Sequence, residues 1–170
     1  MNWRWKGRAW TFGDDVPNDE GLMPLRLTRQ QEYNPLMLKN HCFEQVNAEF
    51  APNAKPHDFV VAGKNFAYGN PHIQGFLGLK GLGVGIIAES MPRGPLRACV
   101  NAGVPVLLVP GIAGFAKDGD ALSVDFESGV LRNETSGAQI DAGPMPEVMR
   151  EIIGAGGGIE HMKQKLTAAH

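Results

Sequence analysis

Two short apolar runs, DFVVAG (58–63) and VGIIAES (84–90), bracket NPHIQGFLGLKGLG (70–83), and this arrangement constrains the fold more than any other feature. Each run is rich in β-branched residues and has the length of a buried strand, whereas the text between them carries apolar residues at helical spacing. A strand, a helix and a strand in that order make a βαβ unit, so the two strands pair in parallel. VPVLLV (104–109) adds a third strand candidate. It follows a predicted helix around PLRACVNAG (95–103), in which Gly103 stands where a helix-terminating glycine belongs. Upstream, RWKGRAWTF (4–12) reads as a strand entering a turn at Gly13-Asp14-Asp15.

The pattern changes after Pro110. DALSVDF, GVLRN and AQIDAG are short alternating segments split by Ser128-Gly129 and Ser136-Gly137, which predicts a small antiparallel meander. Two helical pieces follow in PMPEVMREIIGAGGGIEHMKQKL, with Pro146 predicted as the first residue of one of them. The spacing also predicts a short helix over 36–46 (LMLKNHCFEQV). Residues 14–34 carry no sustained period and read as a long loop, either a lid or a plain connection. The whole is an α/β fold: a central partly parallel sheet, a small antiparallel meander and C-terminal helices.

A chain of 170 residues, 43% hydrophobic and 20% charged, can bury a sizeable core as one domain spanning 1–170. Its formal net charge of −2 gives no basic surplus for nucleic acid. The opening MNWRWKGRAW lacks a signal peptide's apolar stretch and no segment reads as a membrane span, so a cytoplasmic location is expected. Cys42 and Cys99 are the two cysteines, too few to hold an iron–sulfur cluster alone. They read as buried small hydrophobes, and the histidines show no metal-ligand spacing. No metal site is expected on this chain.

The stretch AGKNFAYGNPHIQ (62–74) is the main candidate site. Asn70 is a favoured N-cap and Pro71 a favoured first helical residue, so the helix is predicted to begin at Pro71. Its free backbone N–H groups would then face the loop and favour an anion. Gly63, Ala67 and Gly69 would let the backbone approach a ligand closely. The place, at the carboxyl end of a parallel strand, is where open α/β sheets bind ligands.

AGKNFAYGNPHIQGFLGLKGLGVGIIAES resembles the swivel domain of the aconitase superfamily, above all the small subunit of 3-isopropylmalate dehydratase. That family writes G-x-N-F-G-C-G-S-S-R-E-H-A, then a helix and V-I-A-x-S. GRAWTFGDDVPND, NAGVPVL, the meander and EIIGAGGGIEHMKQKL are similar to further stretches of the family, in the same order. The resemblance implies a swivelling β/β/α domain and a heteromer with a larger subunit that carries a [4Fe-4S] cluster, in leucine biosynthesis. The reaction would move water across a carbon–carbon double bond of a small di- or tricarboxylic acid, with the partner's cluster as Lewis acid.

The same resemblance implies site residues. Asn65, Phe66, Tyr68, Gly69 and Asn70 fall on the family's substrate-contacting motif, Arg26 near its specificity residues, and Arg93 and Arg97 on basic positions suited to carboxylates. The family's base serine is absent: Asn70 falls on it, Pro71 on the second serine and His72 on the arginine. A carboxamide is a poor proton acceptor. A histidine can accept a proton or pair with a carboxylate, which makes His72 the catalytic candidate. Asp14 and Asp15 read as turn formers or local caps. A second reading keeps the fold and the helix-end anion site but treats the chain as a non-catalytic carboxylate-binding module.

Overall fold

The computed structural model describes residues 1–169. Seven strands form one sheet: β1 (Arg4–Thr11), β2 (Phe59–Ala62), β3 (Gly85–Ala88), β4 (Val106–Leu108), β5 (Ala121–Asp125), β6 (Val130–Asn133) and β7 (Gln139–Asp141). Their spatial order is β4-β3-β2-β1-β5-β6-β7. β1 joins two halves. Its last residues pair in parallel with β2 (Ala9 with Phe59, Thr11 with Val61), and its first residues pair antiparallel with β5 (Arg4 with Asp125, Arg8 with Ala121). β2, β3 and β4 continue the parallel half, and β5, β6 and β7 form the predicted meander.

The burial patterns follow from this division. β2 and β3 are buried at every position, as a sheet covered on both faces requires. β5 alternates buried and half-exposed residues, as a sheet with one wet face does. The helices are α1 (Leu25–Arg29), α2 (Pro35–Leu38), α3 (Phe50–Asn53), α4 (Gln74–Leu82), α5 (Arg93–Ala102), α6 (Glu147–Gly154) and α7 (Gly158–Ala168). α4 packs on α2 and α5, and α5 packs on α6 and α7. Gly103 ends α5 in the left-handed conformation at φ 85°, as the sequence suggests.

Three expectations are corrected. The helix over 36–46 is only α2 and a short 3-10 turn, Lys39–His41, after which the chain turns at Phe43 with φ 56°. The segment 14–34 is not featureless: it contains α1 and packs Val16, Leu22 and Met23 into the core. Pro146 is the cap of α6 rather than its first residue.

An aromatic cluster lies under one end of the parallel half. Phe12 stacks on Phe43 with ring centres 4.0 Å apart, and Phe43 meets Phe50 edge-on at 4.9 Å and Phe66 at 6.2 Å. A buried polar anchor, Asp58, sits at the start of β2. Its carboxylate accepts from the Arg8 amide (2.9 Å), the Trp10 indole (3.0 Å) and the Lys55 amide (2.9 Å), so it fixes β1 against β2. Truncating it would strand a buried indole N–H. Asp58→Ala is therefore expected to cost about 3 kcal/mol in urea unfolding, with Trp10 fluorescence reporting the change.

Candidate functional site

Beyond the last residues of β1 and β2 the two chains go on pairing. The Phe12 amide donates to Val61 O (2.8 Å), Gly63 to Gly13 O (3.2 Å) and Asp15 to Lys64 O (2.9 Å). Ala67 then donates to Val16 O (2.8 Å) and Asn18 to Tyr68 O (2.9 Å). Side chains reinforce this ladder. Asp14 Oδ1 accepts from the Lys64 amide (2.7 Å), and the Asn65 amide group donates to Asp15 Oδ1 (2.9 Å). The end of β3 adds Ser90, whose hydroxyl accepts from the Asn65 amide (2.9 Å) and whose carbonyl accepts from the Phe66 amide (3.0 Å).

Three strand ends thus hold one loop, and they hold it in an uncommon shape. Asp15, Asn65 and Ala67 have φ of 55°, 58° and 59°, and Gly69 has φ 95°. Asn and Asp tolerate this region, but alanine does not enter it without cost. Such backbone strain persists only where the surroundings over-determine it, and it clusters at functional sites.

Gly63 is required by packing. A Cβ there would lie 2.0 Å from Asp14 Oδ1. Gly63→Ala should push the Asp14 carboxylate off the Lys64 amide. The expected result is a loss of about 1–3 kcal/mol of stability and faster amide exchange at Lys64 and Asn65.

The loop rises from the core to solvent along its length. Phe66 and Ala67 are fully buried, Tyr68 is 39% exposed, and Gly69, Asn70 and Pro71 are exposed. Phe66 belongs to the aromatic cluster and is fully buried in this chain, where it anchors the loop from below. The predicted helix start is also corrected. α4 begins at Gln74 with Ile73 as its cap residue, and no side chain caps it. The His72 carbonyl, which a helix starting at Pro71 would need, instead accepts from the Asn18 side chain at 3.0 Å. Nor is the helix end open. Gln74, Gly75 and Phe76 are buried, and a Cβ on Gly75 would lie 2.5 Å from Leu22 Cγ.

His72 stands at the end of the exposed stretch. Its Nδ1 lies 2.7 Å from Asp19 Oδ1, with the ring 34% and the carboxylate 23% exposed. The sequence reading did not single out Asn18 or Asp19. Their signal was a polar pair at the end of DDVPND, of which Asn18 is completely buried. Expected as turn formers or local caps, Asp14 and Asp15 instead both reach the neighbouring loop, Asp14 accepting from the Lys64 amide and Asp15 from the Asn65 side chain.

Arg93 and Arg97 are exposed on α5, one turn apart. The first turn of α5 lies against the site loop, since a Cβ on Gly94 would be 3.2 Å from Pro71 Cβ. Arg26 is engaged elsewhere. Its guanidinium donates to both Glu44 oxygens (3.0 and 2.9 Å), and His41 Nδ1 lies 2.6 Å from Glu44 Oε2. The Arg26 hydrogen bond, then that from His41, holds the Glu44 carboxyl below the usual value. The folded pKa is depressed, so this contribution is present above about pH 4.3 and is lost as pH falls through the lowered value. A carboxyl NMR titration should give Glu44 a midpoint below the ordinary one, and Arg26→Ala should raise it.

Both thiols are fully buried and pushed up by burial, and among the described residues no three His, Cys, Asp or Glu side chains are grouped to hold a metal. A cavity of about 210 Å³ lies beside the loop, lined by Phe12, Gly13, Asp14, Gly63, Ile112 and Gly114 among others. A larger one, about 670 Å³, is lined by Arg4, Trp5, Lys6 and His57 with residues of the meander. It sits at the opposite end of β1, about 20 Å from the loop.

Comparison with known proteins gives the chain's family. The 3-isopropylmalate dehydratase small subunit of Methanosarcina mazei is 42% identical over 164 residues, 95% of this chain and 98% of that one. The chain belongs to the 3-isopropylmalate dehydratase small-subunit family. The isopropylmalate/citramalate isomerase small subunit of Methanocaldococcus jannaschii is 36% identical over 95% of both chains. The crystal structure of 3-isopropylmalate dehydratase LeuD from the same organism superposes with a TM-score of 0.88 at 29% identity, covering 98% of this chain and 97% of that one. No family model matches the chain. Among the described residues no helix is long and apolar enough to cross a membrane.

Proposed function

We propose that this chain is the small subunit of a hydro-lyase of the 3-isopropylmalate dehydratase type. It works with an iron–sulfur large subunit to dehydrate or hydrate a small hydroxy-di- or tricarboxylic acid. The observation that carries the proposal is a loop held by three strand ends, exposed over Tyr68–Pro71 and ending at half-buried His72, in a chain that matches the family over 95% of its length.

Dehydration of a hydroxy acid needs a base for a carbon-bound proton and a Lewis acid for the departing hydroxyl. The Lewis acid is assigned to the partner's [4Fe-4S] cluster. This chain's own residues do not fit such a group, because its two cysteines are buried and lie on separate elements. The base is assigned to His72, the imidazole on the exposed part of the loop. Asn70, which falls on the family's serine, is a carboxamide and cannot take the proton. Tyr68, Asn70 and the backbone at Gly69 face solvent and are assigned to substrate. Arg93 and Arg97 bear the positive charge that would draw a carboxylate to this edge. A site completed by a second subunit need not form a closed cavity in one chain alone. For that reason the larger cavity at the far end of β1 is not taken as the active site.

The test is co-purification with the large subunit, anaerobic reconstitution of the cluster and assay against a panel of hydroxy-diacids. His72→Ala should lower kcat by about 10²–10⁴-fold and leave complex formation intact. Turnover unaffected by this substitution would remove His72 from the mechanism. Carboxylate binding without turnover of any acid would favour the non-catalytic module instead.

A further inference from the structure

We propose that Asp19 is the positioning residue of His72, so that an Asp19–His72 pair stands in for the absent serine. This rests on the reading of His72 as the proton acceptor and assigns a second residue to the same site.

The hydrogen-bonding capacity of the two groups fixes where the proton sits. A carboxylate only accepts, so at 2.7 Å the Asp19 Oδ1 contact requires a proton on His72 Nδ1. A neutral imidazole has one N–H. With that proton on Nδ1, Nε2 carries the lone pair. Among the described residues Nε2 makes no hydrogen bond, and about a third of the ring is open to solvent. Asp19 therefore selects the tautomer that can act as a base.

Asp19 is itself fixed. It follows fully buried Asn18, whose side chain holds the His72 carbonyl at 3.0 Å. One segment thus grips both the main chain and the ring of His72. That segment is a tight turn: Leu22 N donates to Pro17 O (2.9 Å), Met23 N to Asn18 O (3.0 Å) and Glu20 N to Met23 O (2.9 Å), with Glu20 at φ 64°. A ring held in this way need not be oriented when substrate arrives, which is the geometric contribution that positioning groups make to catalysis.

The step balances as follows. The carbon–hydrogen bond next to the substrate carboxylate breaks and its proton passes to Nε2. The electron pair forms the carbon–carbon double bond, and the carbon–oxygen bond breaks with the hydroxyl leaving as hydroxide, which a Lewis acid on the partner would accept. Asp19 keeps its negative charge and faces the imidazolium that forms.

The test uses the reconstituted two-subunit enzyme, with assembly checked by gel filtration, and compares wild type, Asp19→Asn, Asp19→Glu, His72→Ala and the Asp19→Asn/His72→Ala double variant. Asp19→Asn keeps the shape but removes the obligate acceptor. It should lower kcat about 10²-fold with KM changed less than about threefold. It should also enlarge the isotope effect on substrate deuterated at the carbon that loses its proton. Asp19→Glu should restore part of the rate. In the His72→Ala background the Asp19 change should cost nothing further. The inference is overturned if Asp19→Asn leaves kcat within threefold, if it raises KM alone, or if its cost is as large without His72. If Asp19→Asn does not assemble, Asp19→Glu and its double variant with His72→Ala decide by the same criteria. A normal rate in His72→Ala overturns the assignment of the base itself. A rate lost in His72→Ala but kept in Asp19→Asn overturns only the role of Asp19.

Discussion

Everything at the site depends on the backbone pairing that continues past the ends of β1 and β2. A strand normally frays where its last ladder bond ends, and the following residues are free to move. Here the bonds from Phe12 to Asn18 keep the outgoing chain of β1 against the outgoing chain of β2 for a further half-dozen residues. Two loops that would each be mobile become one ordered layer, and Asp14, Asp15 and Ser90 satisfy amides that this layer would otherwise leave open. The positive φ values at Asp15, Asn65 and Ala67 are the conformational cost of that closure. Its return is positional: His72 is held on both sides before any ligand is present.

The elements that were legible in the sequence are those whose signal is local or periodic. The βαβ unit, the meander and α5 with Gly103 follow from apolar periodicity and turn chemistry, and these set the sheet order once β1 is placed between the two halves. The loop after β2 was legible as an irregular strand-to-helix connection. Its inner workings were not, because they come from contacts between segments some 50 residues apart, such as Asp19 with His72. The Asn-Pro step shows the difference. It occurs twice. At Asn34-Pro35 the asparagine accepts from the Leu36 amide at 3.0 Å and α2 begins at the proline, as the rule says. At Asn70-Pro71 the same pair makes no helix, because Asn18 has taken the His72 carbonyl. A tertiary hydrogen bond outweighs a local preference of about 1 kcal/mol. Phe66 shows the same limit. A motif names the residues near a ligand without saying which face the core, and the aromatic cluster takes this one.

The chain's reactive groups divide between sealed and open places. Both thiols are buried and Arg26 is tied to Glu44. Tyr68, Arg93 and Arg97 are exposed and His72 is half-buried, and the first turn of α5 lies against the loop at Pro71. On the proposed reading, an edge carrying a base and cations suits a half-site closed by another surface. It is a poor design for a protein that must bind a small acid unaided, since such ligands are held by enclosure.

The burial of the α4 start changes how an acid could be held there. An open helix end attracts an anion through its amides and its dipole, and needs no charged side chain. Leu22 lies over this end, and Gln74 to Phe76 are out of solvent, so that contribution is weak at the loop surface. The work then falls to side chains. Arginines recognise carboxylates through directed hydrogen bonds and titrate far above neutral pH, whereas a histidine changes charge within the working range. On the proposed reading the two tasks would be divided between cations on α5 and a proton acceptor on the loop. The Asp19 carboxylate, 2.7 Å from His72 Nδ1, would then face the imidazolium formed on proton transfer.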